Sequence, residues 1–259
     1  MSYCVGLVLD AGMVFASDSR THAGVDQVSS FRKLKVFESQ RDRMIVILSS
    51  GNLAITQSAI NHLENQGRRS DGGPTLWNAQ SLFEIATLLG DSLRQVRQRD
   101  VSHLTQSNVD ASASFILGGQ VQGERQRLFL IYSEGNFIEA TAETPFFQIG
   151  ETKYGRPIID RVIKPSTNLV EAAKCLLVSF DSTMRSNISV GLPIDMLVYR
   201  NGSLHVGMQQ RIMENDPYFS MIHTQWGEGL RSLFAQLPDP NWDFMQLSQG
   251  VANRAGHGD

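Results

Sequence analysis

Three groups near the start of the chain have the types and spacing needed for acyl-transfer chemistry: Ser2, the run Asp18-Ser19-Arg20, and Lys33. Serine at position 2 is small enough for routine removal of Met1, which would leave a free α-amine and a hydroxyl on one residue. An α-amine titrates near pH 8, much closer to neutrality than a lysine ammonium. It can therefore act, directly or through a water, as the base for its own side chain. Asp18 closes the apolar run Val14-Phe15-Ala16-Ser17, and Lys33 opens another within Phe31-Arg32-Lys33-Leu34. A lysine near the hydroxyl would lower its pKa, and a carboxylate near the lysine would keep it charged and oriented. Ser50-Gly51-Asn52 falls where a strand-like run gives way to a helical one, so the Gly51 N–H is a candidate donor to an oxyanion.

These residues meet only if the elements between them fold back. Tyr3 to Leu9 and Met13 to Ser17 are strand-like, with Asp10-Ala11-Gly12 as the turn of a hairpin, and this returns Asp18 to Ser2. Leu34 to Phe37 and Met44 to Leu48 form a second pair. Asn52 is the expected N-cap of a helix that ends near Gly67. Arg68 to Pro74 reads as loop, and Thr75 to Arg99 as a long helix with Leu82, Ile85, Ala86, Leu89 and Leu93 on one face.

Strands return at Ser112 to Leu117, Leu128 to Tyr132, Phe137 to Ala140 and Phe146 to Ile149, with Gly118 to Gly123 as strand end and turn. Helices follow at Tyr154 to Val162 and Leu169 to Arg185. Met196 to Tyr199 and Leu204 to Met208 flank Asn201-Gly202, a strong hairpin signal. A last helix is expected over Tyr218 to Leu237, with an irregular tail after it. Strands grouped outside pairs of helices point to antiparallel sheets with helices layered on them, an α+β fold. One domain over 1–259 is expected.

Composition removes whole classes of function. A hydrophobic fraction of 41% supports a core, and a net charge of −3 gives no reason to expect nucleic acid or an anionic membrane as partner. Cys4 and Cys175 are too few for a disulfide framework, which fits a reducing, cytoplasmic setting. The opening has no basic stretch followed by an apolar one, so a secretory leader is not expected, and no apolar run is long enough to span a membrane. The sequence has no G-x-S-x-G elbow, H-E-x-x-H pair, Walker loop or dinucleotide fingerprint. Its six histidines are scattered without metal-ligand spacing.

Asp18-Ser19-Arg20, Arg32-Lys33-Leu34 and Ser50-Gly51-Asn52-Leu53-Ala54 with Thr56-Gln57 resemble, in order and spacing, the proteasome β-subunit and bacterial HslV family. The opening from Ser2-Tyr3-Cys4-Val5-Gly6-Leu7 through Arg20 is most similar to the bacterial Anbu (ancestral β-subunit) family. The likeness runs to about Val206, and about 210–259 looks like a family-specific helix and tail. The resemblance implies a four-layer α-β-β-α sandwich of the N-terminal-nucleophile hydrolase type and a proteasome-like peptidase. In it Ser2 attacks, its amine is the base, Lys33 and Asp18 tune it, and Gly51 receives the oxyanion. It also implies a ring or spiral of identical subunits acting on a peptide or protein substrate, with no metal or organic cofactor, and it leaves any unfoldase partner unspecified.

Two positions depart from that pattern. Serine replaces the usual threonine at the nucleophile, and Glu151 stands where a relay serine is usual. Asp181 and Ser189 are both candidates for the later relay. An amidase or transferase of the same fold, and a non-catalytic assembly subunit, stay open as alternatives.

Overall fold

The computed structural model describes residues 2–22, 28–66 and 72–240. Met1, residues 23–27, the expected helix end near Gly67 with the start of the expected loop at 68–71, and the expected tail at 241–259 lie outside them. The first strands are β1 (Tyr3–Leu9), β2 (Gly12–Asp18), β3 (Arg20–His22), β4 (Val28–Ser30), β5 (Leu34–Ser39) and β6 (Arg43–Gly51), followed by helices α1 (Leu53–Gln66) and α2 (Leu82–Gln106). Next come β7 (Ala113–Val121), β8 (Arg127–Ile131), β9 (Phe137–Glu139), β10 (Phe146–Gly150), α3 (Arg156–Val162) and α4 (Leu169–Ser186). The described chain closes with β11 (Ile194–Arg200), β12 (Met208–Ile212) and α5 (Pro217–Gln236). It divides into two compact units, one ending at Ile222 and the other beginning at His223. Among the described residues no helix is long and apolar enough to cross a membrane.

The strands form two five-stranded sheets, in the orders β10-β1-β2-β11-β12 and β5-β6-β7-β8-β9, and the small pair β3-β4, all antiparallel. The fold is thus mixed helix and sheet, as the order of elements implies. Strands buried on both faces lose the alternation of a half-exposed strand and read as continuous apolar runs. That explains Tyr3–Leu9, in which Tyr3, Val5 and Leu7 pack with Ile159 of α3 and Leu176 and Phe180 of α4. Cys4 on the opposite face joins Met13, Phe15, Val46, Leu48, Ile116 and Leu197, where residues of both large sheets meet. The other face of the second sheet carries Ile45, Ile47, Phe115 and Leu117, covered by Ile55 and Leu63 of α1 and Ile85 and Leu89 of α2.

Among the expected boundaries that move, three do so for a clear local reason. The long helix begins at Leu82, not Thr75, because Ser81 caps it: the Ser81 hydroxyl accepts the Glu84 N–H, while the Glu84 carboxylate accepts the N–H of Gln80, the residue before the cap. The seventh strand continues through Gly118-Gly119-Gln120 to Val121, since these residues pair with β6 on one side and, as far as Gly119, with β8 on the other. The Asn201-Gly202 turn forms, yet β12 starts only at Met208. The Gln120 side-chain oxygen accepts both the Tyr199 hydroxyl and the Gly202 N–H, which draws the chain after the turn away from the strand. The short pair β3-β4 leaves no mark in the sequence pattern, because three-residue strands are too short for a periodic signal.

Glycine sets how closely the large sheets approach. A Cβ on Gly118 would lie 2.6 Å from the Phe15 ring and 2.8 Å from Leu128, both fully enclosed. Gly118→Val is therefore expected to destabilise the protein by about 1–3 kcal/mol through overpacking, measured by urea unfolding. Adding Phe15→Leu should recover part of that loss. A double variant no more stable than Gly118→Val would show that the ring is not the obstruction.

Candidate active site

The β1–β2 register pairs Cys4 with Ser17, which brings the start of the first strand beside the end of the second. The Tyr3 N–H donates to Asp18 Oδ1 at 2.8 Å. The same oxygen accepts from Lys33 Nζ at 2.7 Å, and Nζ also donates to the Arg20 carbonyl at 2.7 Å. Lys33 and Asp18 are both buried, at 4% and 0% exposure. Lys33 is held at this height because the Ser49 N–H donates to its carbonyl at 3.0 Å. One backbone bond thus ties the lysine to the end of β6, next to Ser50-Gly51.

Burial pushes the Asp18 carboxyl above the usual carboxylate range. The Lys33 ammonium and the N–H groups of Tyr3 and Gly191 pull it back. Oδ2 has no hydrogen-bond partner among the described residues. The Cys4 thiol, which donates to the Ser49 carbonyl at 3.5 Å, is pushed well above its ordinary value by complete burial. It is a packed side chain, poorly placed to ionise as a nucleophile.

Gly51 has φ +105°, and a Cβ there would lie 2.3 Å from the Ser112 carbonyl oxygen, so the position admits only glycine. The Asn52 N–H donates to that Ser112 carbonyl at 2.8 Å. Backbone amides alternate along a strand, so the Gly51 N–H points to the other edge. There β5 does not begin until Leu34, opposite Leu48. Asn52 caps α1 as expected, accepting the N–H groups of Ala54 and Ile55.

Ser2 is nearly buried, and its carbonyl accepts the Glu151 N–H at 2.7 Å. Gly150, at φ +84°, permits this contact, since a Cβ there would lie 2.1 Å from the Ser2 oxygen and 2.9 Å from Ser50 Oγ. A cleft of about 930 Å³ opens at this point, lined by Ser2, Arg20, Phe31, Ser50, Gly51 and Asp110 among others.

Ser2, Asp18, Lys33 and Gly51 therefore stand at one end of the two sheets, with Ser2 and Gly51 facing the cleft and the ion pair beneath. Glu151 is buried, and its carboxylate accepts the Lys153 N–H at 2.8 Å and Asn187 Nδ2 at 2.8 Å. It is the backbone N–H of Glu151 that bonds to Ser2. Ser189 donates its N–H to Asn187 Oδ1, which links it to the same loop, whereas Asp181 is a buried residue of α4. Among the described residues no cluster of three His, Cys, Asp or Glu side chains could hold a metal ion.

Sequence reasoning missed the anchoring of Tyr3. Its hydroxyl lies 2.5 Å from Ser179 Oγ and accepts Gln148 Nε2 at 2.7 Å. Ser179 is 176 residues away, a separation at which no local pattern signals a contact.

No protein-family model and no curated protein matches the chain. Solved structures do. Anbu (ancestral β-subunit) from Yersinia bercovieri is 51% identical, with a TM-score of 0.85 over 93% of this chain and 100% of that one. The helical assembly of the Anbu complex from Pseudomonas aeruginosa is 47% identical, with a TM-score of 0.87 over 92% and 98%. Anbu from Hyphomicrobium sp. strain MC1 is 43% identical, with a TM-score of 0.86 over 93% and 100%.

Removing one member of a buried ion pair leaves the other charge uncompensated. Lys33→Met and Asp18→Asn are each expected to cost about 3–5 kcal/mol, and the double variant less than the sum of the two, measured by urea unfolding. The Lys33→Met variant should also acquire a pH dependence. Its Asp18 carboxyl, held high by burial, keeps its proton in the folded chain after the unfolded chain has lost it. Stability is then fully present below the ordinary carboxylate range and falls as pH rises through the folded value. A Lys33→Met variant equally stable at acidic and alkaline pH would contradict this account of the pair.

Proposed function

The chain belongs to the Anbu (ancestral β-subunit) family, and on that premise we propose that it is a proteasome-like peptidase subunit whose nucleophile is Ser2. The observation that carries the reading is the shared Asp18 oxygen: it receives Tyr3 N–H and Lys33 Nζ directly under the residue that lines the cleft. A buried lysine held by a carboxylate has no evident use in an inert surface cleft. Beside a hydroxyl it stabilises the alkoxide that attack requires.

In this reading the Ser2 amine, freed of Met1, takes the hydroxyl proton as Oγ bonds to a peptide carbonyl carbon. The carbonyl oxygen becomes an oxyanion facing the Gly51 N–H. As the C–N bond breaks, the proton passes to the leaving amine, and water then hydrolyses the ester. Ser2 is steered through its backbone, by Glu151 N–H on its carbonyl and by the Asp18 contact to the next residue. A serine lacks the methyl that restricts threonine at χ1, so this backbone hold carries more of the orientation.

The three apolar clusters support a four-layer α-β-β-α sandwich of the N-terminal-nucleophile hydrolase type, and 1–259 is read as one peptidase domain with a family-specific extension. The relative from Pseudomonas aeruginosa, titled a helical assembly, supports a homo-oligomer of ring or spiral form. An exposed protease site open to the cell would cut indiscriminately, so assembly and peptidase function belong together. Two buried, unpaired cysteines suit a cytoplasmic setting.

Mature protein from its host is expected to begin at Ser2 by intact mass, and an electrophile selective for N-terminal hydroxyls should add to the residue-2 peptide. Peptide turnover should be weak and should rise from about pH 7 to about pH 9 as the α-amine gives up its proton. Hydrolysis by protein that keeps Met1 would exclude the amine as base. Absence of the adduct under every condition would favour a non-catalytic subunit.

A further inference from the structure

The cleft beside Ser2 crosses the open end of β6, with Thr21 and Phe31 on one side and Val109 and Asp110 on the other. Two charged side chains, Arg20 and Asp110, line it, and they are held differently. Arg20 Nη1 donates to the Ile188 carbonyl at 2.9 Å, and a Cβ on Gly191 would come within 2.2 Å of its Cζ. The guanidinium is thus committed to the 188–191 loop. Asp110 is exposed; its Oδ1 accepts the Ser112 N–H at 2.9 Å and its Oδ2 the Ser112 hydroxyl at 2.6 Å. That hydroxyl and N–H hold the carboxyl below the usual carboxylate range, with a further pull from Arg97. Arg97 itself is turned to the Ser133 carbonyl and lies 3.8 Å from Glu134.

One residue ties the segment carrying Asp110 to the oxyanion corner. Asn52, directly after Gly51, donates its N–H to the Ser112 carbonyl at 2.8 Å and its Nδ2 to the Asp110 carbonyl at 2.9 Å. Its side-chain oxygen caps α1, so both ends of the amide are engaged. The position of Asp110 relative to Gly51 is therefore set by the fold.

We infer that Asp110 is a specificity-determining residue, and that the cleft takes a peptide whose lysine or arginine side chain, close to the bond to be cut, pairs with the Asp110 carboxylate. The inference rests on the peptidase reading above and gives it a substrate class. An ionised carboxylate offers about four lone-pair sites. Ser112 occupies two of them, which leaves room for the donors of an ammonium or a guanidinium. Neighbouring strands lie about 4.8 Å apart, so the step from Gly51 across to the 110–112 segment is one that a long basic side chain bridges. Phe31 and Val109, exposed at 41% and 45%, give its methylene stem an apolar flank. An acidic side chain in the same place would meet a like charge, so the pairing also excludes.

Fluorescence anisotropy on the full chain tests this with dye-labelled, alanine-rich heptapeptides carrying one lysine, norleucine or glutamate at each position in turn. At the best position lysine is expected to bind about fivefold tighter than norleucine, the size of a pair in an open cleft, and glutamate more weakly than either. Asp110→Asn, which keeps an oxygen for the Ser112 N–H, should bring the lysine-to-norleucine ratio close to one. Asp110→Lys should invert it in favour of glutamate. Raising salt from about 0.05 M to about 0.5 M should shrink the lysine preference. The readout is a ratio within one protein, so a general weakening of binding cancels, and melting curves verify that each variant folds. A wild type indifferent to charge at every position, or a lysine preference that survives Asp110→Asn, would overturn the inference. So would failure of every peptide to bind. The adduct on Ser2 separates this from the peptidase reading. Asp110-dependent lysine binding beside a Ser2 that never reacts would keep the cleft assignment and sink that reading, whereas a reactive Ser2 with no charge preference would do the reverse.

Discussion

Asp18 Oδ1 is shared by two donors from opposite directions, the Tyr3 N–H at 2.8 Å and Lys33 Nζ at 2.7 Å. A carboxylate with no exposure cannot stay charged without such partners, because its desolvation is large and only close, well-aligned donors offset it. The requirement reaches three separate pieces of chain. The first strand must deliver a backbone N–H, the second must end at the carboxylate, and the segment before β5 must present an ammonium at the same height. The Ser49–Lys33 backbone bond then brings the end of β6 to that point. The geometry around Ser2 is in this sense a by-product of satisfying one buried charge.

Glycine lets the backbones converge there. Gly51 and Gly150 both hold positive φ, and at each a side chain would strike a carbonyl oxygen of the neighbouring strand or of Ser2. Close approach of this kind aims backbone N–H groups with little freedom to drift, and rigidly aimed donors are the ones that stabilise developing charge. The Tyr3 phenol adds a further restraint. Gln148 and Ser179 bind it in the core beside Phe180, so the residue after Ser2 is fixed by both its main chain and its side chain.

The cleft beside Ser2 and the apolar groove between α4 and the β11–β12 pair occupy different places. The cleft lies where β1, β6 and β10 end, while the groove lies along α4 and β11–β12.

Much of this was legible in the residues themselves. Two-sided burial makes β1 and β2 continuous apolar runs, their short turn forces a hairpin, and a hairpin brings position 18 back to position 2. Asn52 announces the start of α1 by its capping chemistry. Local signals of this sort act over a few residues, and the fold keeps them. What they could not determine was the height and direction of side chains joined across long separations. That Lys33 reaches the same oxygen as Tyr3 N–H, that Glu151 meets Ser2 through its backbone, and that Tyr3 is moored to Ser179 are outcomes of sheet register and helix packing. Each joins segments with no shared periodicity, and register and packing, together with the need of most buried polar groups for partners, decide which residues meet.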